Sequence, residues 1–311
     1  MRMPSSRILI PLALLLLLGG FAHAEEVQPL IEQPITLARG AIDLTVQGTY
    51  TNWGTGASVG TGPSSLIGET LALGADFGAT DQAQLGLGVA LPINPGAGFG
   101  SLFASAAFAL DKRTAVRVDA GYERIGPNGD NTAGSSHTNR YFAGLGAPIK
   151  VPLGPTLAFV SGRTGAVQFG HFNNIGDKGT GIYLGASEFT EAASDLVVFS
   201  AGNNNSSTNL GINLPAGLLL QPDPRFAVTL QAGYSAVISF PKCPAGSLTC
   251  STQALHFIPV GLEAVVSPAP QMDIGGRFFL DGYVAQTGGS SNGGPSFFDF
   301  RALMFCFRFH T

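Results

Sequence analysis

The sequence predicts an all-β protein: a transmembrane antiparallel β-barrel of 14 strands, or of 12 if a weak hairpin at 180–201 is a loop insertion, with long extracellular loops and short periplasmic turns. Three observations carry this expectation. Apolar and polar residues alternate with period two through most of the chain, which is the side-chain period of a strand. Charged residues make up only 12% of the chain while hydrophobic ones make up 45%, against roughly 25% charged in soluble domains. Beyond the first 24 residues, no stretch reaches the ~18 consecutive apolar residues of a spanning helix. Such a surface is poorly soluble, whereas a closed barrel satisfies every backbone group without water. A secreted, soluble all-β protein is the competing reading.

Residues 1–24 are read as a secretory signal peptide. Arg2 and Arg7 make a basic start, an apolar run fills 8–18, and Ala22-His23-Ala24 is a cleavage site. That run is too short to span a bilayer as a helix. Residues 25–39 hold Pro29, Pro34 and three glutamates and are read as a periplasmic N-terminal segment. Residues 40–311 are read as the barrel.

The first strand, over 41–53, sets Ile42, Leu44, Val46 and Tyr50 against Asp43, Thr45, Gln47 and Thr49. Tyr50 and Trp53 are placed for a membrane interface. The second (66–77) opposes Leu71, Leu73 and Phe77 to Thr70, Ala72 and Asp76. The third (83–91) opposes Leu85, Leu87 and Val89 to Gln84, Gly86 and Gly88. The fourth (99–110) points Leu102, Ala104 and Phe108 outward. In the fifth (115–124), Val116, Val118 and Tyr122 oppose Arg117, Asp119 and Glu123; opposite charges on one face belong in a polar lumen, not in lipid. The sixth (139–149) points Tyr141, Ala143 and Leu145 outward.

The pattern then blurs. Residues 156–169 read as one strand carrying Arg163, and 180–189 and 196–201 as weaker strands. Clarity returns at 209–221 and 225–238, where Leu214, Leu218, Phe226, Leu230, Tyr234, Ala236 and Ile238 share the outward parity. The twelfth (253–266) and thirteenth (272–285) place Glu263, Asp273, Arg277 and Asp281 inward, opposite Ile258, Leu262, Ile274, Phe278 and Leu280. The chain closes on SFFDFRALMFCFRF, with Leu303, Phe305, Phe307 and Phe309 on one face and Ala302, Met304, Cys306 and Arg308 on the other. Connections alternate between long polar loops and the short turns GATD, DKRT, VPLGP, QPDPR and SPAPQ, the pattern of bacterial outer-membrane barrels.

Composition and motifs narrow the chemistry. A formal net charge of −4, with no clustered Lys or Arg, argues against nucleic acid as a partner. The G-x-S-x-G spacings, at 56–60 and 289–293, fall in Gly/Ser-rich loops and not on a strand-to-helix turn, and no serine–histidine grouping stands out, so no enzyme is expected, and a lipid hydrolase is the weaker alternative. No metal-ligand spacing occurs, and no cofactor is expected. Asn128 to Asn131 lacks the spacing of a calcium loop and reads as turn chemistry. Cys243 and Cys250 share a Pro/Gly-rich loop, and an oxidising compartment allows them to pair. What remains is the inward charged set: Asp43, Arg117, Asp119, Glu123, Arg163, Glu263, Asp273, Arg277 and Asp281. It fits a water-filled pathway whose charges tune selectivity better than a closed structural or adhesive barrel with partner-binding loops, because 12 or 14 strands enclose more space than side chains readily fill.

The entry ITLARGAIDLTVQGTY, the hinge LPAGLLLQPDPRFAVTLQAGYS and the aromatic last strand resemble those of Gram-negative outer-membrane barrels of the transporter type, related to phenol-degradation-pathway and fatty-acid-channel-like barrels. The resemblance spans most of the mature chain. It implies passive passage of small solutes, outer-membrane lipid as surroundings, and recognition of the C-terminal strand by the barrel-assembly machinery. About 15 residues precede the first strand, so no hatch domain is expected.

Overall fold

The computed structural model describes residues 27–54, 65–94, 101–125, 138–161, 180–189, 206–241, 252–287 and 300–311. The leader, Arg163, Cys243, Cys250 and the expected strand at 196–201 lie outside them. All regular structure among the described residues is β. In chain order the strands are β1 (Ile42–Gly54), β2 (Ser65–Gly78), β3 (Ala83–Asn94), β4 (Ser101–Ala109), β5 (Ala115–Ile125), β6 (Thr138–Ala147), β7 (Ile149–Pro152), β8 (Leu157–Ser161), β9 (Thr180–Phe189), β10 (Ser206–Asp223), β11 (Phe226–Pro241), β12 (Gln253–Ala269), β13 (Met272–Thr287) and β14 (Phe300–His310).

Every described pairing between strands is antiparallel, and the sheet closes on itself. β14 pairs β1 without a register break from Asp43 opposite His310 to Trp53 opposite Phe300. The ladder extends one step further, where the Thr311 N–H donates to the Ile42 carbonyl at 3.0 Å. His310 and Thr311, which trail the aromatic alternation, therefore belong to the closing seam.

Fourteen strands make twelve staves. β6 and β7 follow one another along the same edge of β5, since Arg117 pairs Gly146 while Thr114 bridges to Ile149. β8 and β9 share one edge of β10: β9 covers Ser206 to Asn213, and β8 covers Gly217 to Leu220. Twelve staves are reached not because 180–201 is an insertion, as the 12-strand alternative supposed, but because two staves are each built from two strands. Residues 180–189 are wall, paired on both sides to β6 and β10. Where the ladder passes from β9 to β8, the neighbouring staves carry Pro148 and Pro215. Proline removes a ladder donor, and such interruptions of a ladder are where it is tolerated.

The alternation read from sequence separates the two faces. Leu44, Leu73, Leu87, Leu102, Leu145, Leu218, Leu262, Phe278 and Phe305 stand exposed on the outside. Their neighbours Asp43, Thr45, Gln47, Asp76, Gln84, Asp119, Glu263, Asp273, Arg277 and Arg308 are buried inside. An apolar band around a polar interior is the arrangement of a barrel whose outer solvent is hydrocarbon. Ala236 and Leu280, of outward parity, are buried. Ala236 pairs His256, where the register of β12 against β13 shifts and the Tyr234 and His256 rings stack with centroids 6.1 Å apart.

Candidate functional site

The inner wall is charged along a continuous strip near the short-turn end. Arg308 on β14 is its centre. Its Nε donates to Asp43 Oδ2 at 2.5 Å and its Nη1 to Asp273 Oδ2 at 3.2 Å. Register dictates the group: Asp273 is directly opposite Arg308, and Asp43 is opposite His310, two residues on along the same face. The His310 ring lies 3.4 Å from Asp273 Oδ2, and the Ser267 hydroxyl donates to Asp273 Oδ1 at 2.6 Å. That serine is bonded to a carboxylate and not to an imidazole, so this grouping does not activate a nucleophile.

The strip continues sideways through pairing. Asp43 faces Asp76 across β1 and β2, Asp76 faces Gly86, Gly86 faces Ser105, and Ser105 faces Asp119. Asp119 accepts from Arg117 Nε at 2.9 Å, an i, i+2 pair that only a strand places on one face. On the other side, Arg277 donates to Gln231 Oε1 at 2.5 Å, and its guanidinium lies 4.7 Å from the centre of the Phe279 ring. Glu263 is opposite Arg277 on the adjacent stave. Asp43 Oδ1 and Asp119 Oδ2, both buried, have no hydrogen-bond partner among the described residues.

Of the nine charged residues expected inside, Asp43, Asp119, Glu263, Asp273 and Arg277 are buried on the inner face, and the Arg117 side chain is 12% exposed. Glu123 and Asp281 lie on β5 and β13, but their side chains are outside the described residues, as is all of Arg163. The nine did not include Asp76, Gln84, Lys150 and Gln221, nor Arg308, which the alternation of the last strand already sets on the same face as Cys306 toward the lumen. Arg308 and Asp76 were legible from the same alternation; the other three become notable only through what they touch.

They touch the N-terminal segment. Residues 27–41 do not hang away from the barrel but run across its short-turn mouth. Pro29 starts a turn in which its carbonyl accepts from the Glu32 and Gln33 amides at 2.9 and 3.0 Å. Ile31 is buried against Ala158 and Val160 of β8, Leu219 of β10 and Ala227 of β11. Its amide donates to Gln221 Oε1 at 3.1 Å, while Gln221 Nε2 donates to the Pro224 carbonyl. Lys150, buried at 2% exposure, donates through Nζ to the Leu30 carbonyl at 2.9 Å and also to the Gln33 carbonyl. Arg308 reaches Gln33 Oε1 at 3.4 Å. The chain then crosses to β3, where the Leu37 amide donates to Gln84 Oε1 at 2.9 Å. β10 and β3 are separated by four staves one way round and six the other, so the crossing is nearly a diameter.

The exit into β1 depends on two glycines. Gly40 has φ of +81°, a conformation that side chains disfavour, and it turns the chain into the wall. Gly40 donates to the Gly78 carbonyl at 2.7 Å and Gly78 to the Ala41 carbonyl at 2.9 Å. A Cβ at Gly78 would strike the Ala38 carbonyl oxygen.

No protein-family model and no curated protein matches the sequence. Solved structures that it resembles include an outer membrane channel from Pseudomonas putida F1, at 13% identity and a TM-score of 0.47 over 92% of this chain and 100% of that one. The translocator domain of the autotransporter NalP from Neisseria meningitidis gives 15% identity and a TM-score of 0.46 over 88% of each chain. The porin NanC gives 9% identity and 0.39 over 86% of this chain and 98% of that one. The fold assignment rests on the strand pairing of this chain.

Proposed function

We propose that the protein is an outer-membrane channel for the passive passage of small solutes, lodged in the bilayer after removal of the leader 1–24. The observation that carries this is the division of faces: twelve staves present hydrocarbon-compatible side chains outward and a strip of charge inward. Barrels of about eight staves are filled by their own side chains, and those of 16–18 leave an aqueous channel. Twelve staves lie between, and the inward glycines Gly74, Gly86, Gly88, Gly121 and Gly144 keep the β2–β6 side of the interior thin. In this reading Asp43, Arg117, Asp119, Glu123, Arg163, Glu263, Asp273, Arg277 and Asp281, joined by Asp76 and Arg308, line the path. The strip of charge sets which ions enter. Nothing in this role calls on catalysis or a cofactor.

Planar-bilayer recording tests the reading. Purified protein, together with a variant lacking residues 27–38, should give stepwise currents, and Asp119→Asn should lower their cation preference. If both proteins insert and neither ever conducts, the protein is not a channel.

A further inference from the structure

We infer that residues 27–39 are a plug that keeps the short-turn mouth shut, and that the channel conducts when this segment leaves its seat. The inference rests on the channel reading and adds its resting state. The segment is seated, not merely nearby. It buries Val27, Ile31, Ile35 and Thr36 and meets side chains from four staves around the mouth. Gln221, Lys150, Gln84 and Arg308 bond respectively to the Ile31 amide, the Leu30 and Gln33 carbonyls, the Leu37 amide and the Gln33 side chain.

These partners suit this occupant. The segment is a run of turns and bends broken by Pro29 and Pro34 and forms no ladder, so the amides and carbonyls not used in its own turns need partners from the wall. Two glutamine side-chain carbonyls accept from its amides. One buried ammonium, a three-donor group, answers two of its carbonyls. A lysine held at 2% exposure with carbonyl oxygens as its visible partners has little other use in the wall of a pore. The seat is confined to one end. Beyond Gly40 the chain is β1 and cannot move without opening the barrel, while before it the segment is tied by side-chain contacts. Gly40 is therefore the hinge, and its positive φ marks where docked segment and wall meet.

The experiment compares single-channel currents of the full chain, the variant lacking residues 27–38, and Lys150→Met, all checked for heat-modifiable migration on gels as the sign of a closed barrel. The full chain should be closed most of the time. The deletion should stay open, and Lys150→Met should raise open probability about tenfold or more, as the loss of charge-assisted bonds implies. A synthetic peptide of sequence VQPLIEQPITLAR, added on the short-turn side, should close the deletion variant again and leave the full chain unchanged. A second variant needs no deletion: Ile31→Cys with Leu219→Cys, in a chain whose Cys243, Cys250 and Cys306 are serine, joined by a reducible bifunctional thiol reagent. Cross-linking should abolish openings and reduction should restore them. Equal conductance of full-length and deleted chains, with no effect of the cross-link, overturns the plug and leaves the channel standing. Silence from every variant overturns the channel itself.

Discussion

Arg308 and Asp43 are 265 residues apart in sequence and 2.5 Å apart in the wall. The arginine lies on the last strand and the aspartate on the first, and the pair is buried on the inner face of the seam that closes the barrel. A buried pair contributes little beyond a well-packed apolar replacement, but breaking it leaves an uncompensated charge.

Arg308→Met should therefore destabilise the barrel by about 3–5 kcal/mol, since it strands both Asp43 and Asp273. The double variant Asp43→Asn with Arg308→Met should lose less than the two single changes added together. Urea unfolding in lipid vesicles measures this. Strict additivity would show that the two groups do not interact in solution.

Gly78→Ala places a methyl group where the Ala38 carbonyl sits. Overpacking of this kind costs about 1–3 kcal/mol, and here the N-terminal segment is what can yield. The substitution should leave the wall intact, shown by unchanged heat-modifiable migration, while making residues 27–39 susceptible to added protease. A segment as protected as in the native chain would contradict the close approach at Gly78.

Leu87 is 65% exposed on the outer face of β3. Leu87→Arg should cost about 2–4 kcal/mol if the residue lies near the bilayer midplane, read as a lower unfolding midpoint in vesicles. Gln47→Arg, on the inner face of β1, should cost distinctly less. Equal costs would mean that the outer face is not in lipid.

Truncation of residues 305–311 removes the lower half of β14, including its pairing from Leu44 to Gly48 of β1 and from Met272 to Gly276 of β13. Such a chain should fail to appear as a closed barrel in outer-membrane fractions. Normal insertion would show that neither the seam nor an assembly signal resides there.

Period-two alternation made the wall legible because a barrel has only two environments, and each strand samples both. The strands from β1 to β5 and from β10 to β14 follow it closely, and so do the buried charges Asp43, Asp119, Glu263, Asp273 and Arg277. Between them one stave is assembled from two strands that are not contiguous in sequence, β8 and β9, and Pro148 divides its neighbour. A pattern that depends on uninterrupted strands blurs there. The seat of residues 27–39 was the least legible feature, because Lys150, Gln221 and Gln84 hold it through contacts 47 to 190 residues away in sequence. A signal was nevertheless present: Val27, Ile31 and Ile35 are regularly spaced aliphatic residues in a stretch otherwise rich in acid, amide and proline. A fully solvated lead-in has no reason to carry them.

The seam between β1 and β14 also governs how the chain reaches this state. Until the last strand arrives, β1 has an open edge, and in hydrocarbon an open edge is untenable. The two halves of the seam are the first and the last of the described strands, so the sheet cannot close before β14 is in place. Pairing at this sequence distance is slow, and the apolar outer face must be shielded from aggregation throughout. Residues 27–39 precede β1 in the chain, so in the channel reading they are enclosed by that same event or enter afterwards through the mouth. The order of those two steps sets whether the barrel is first completed open or shut.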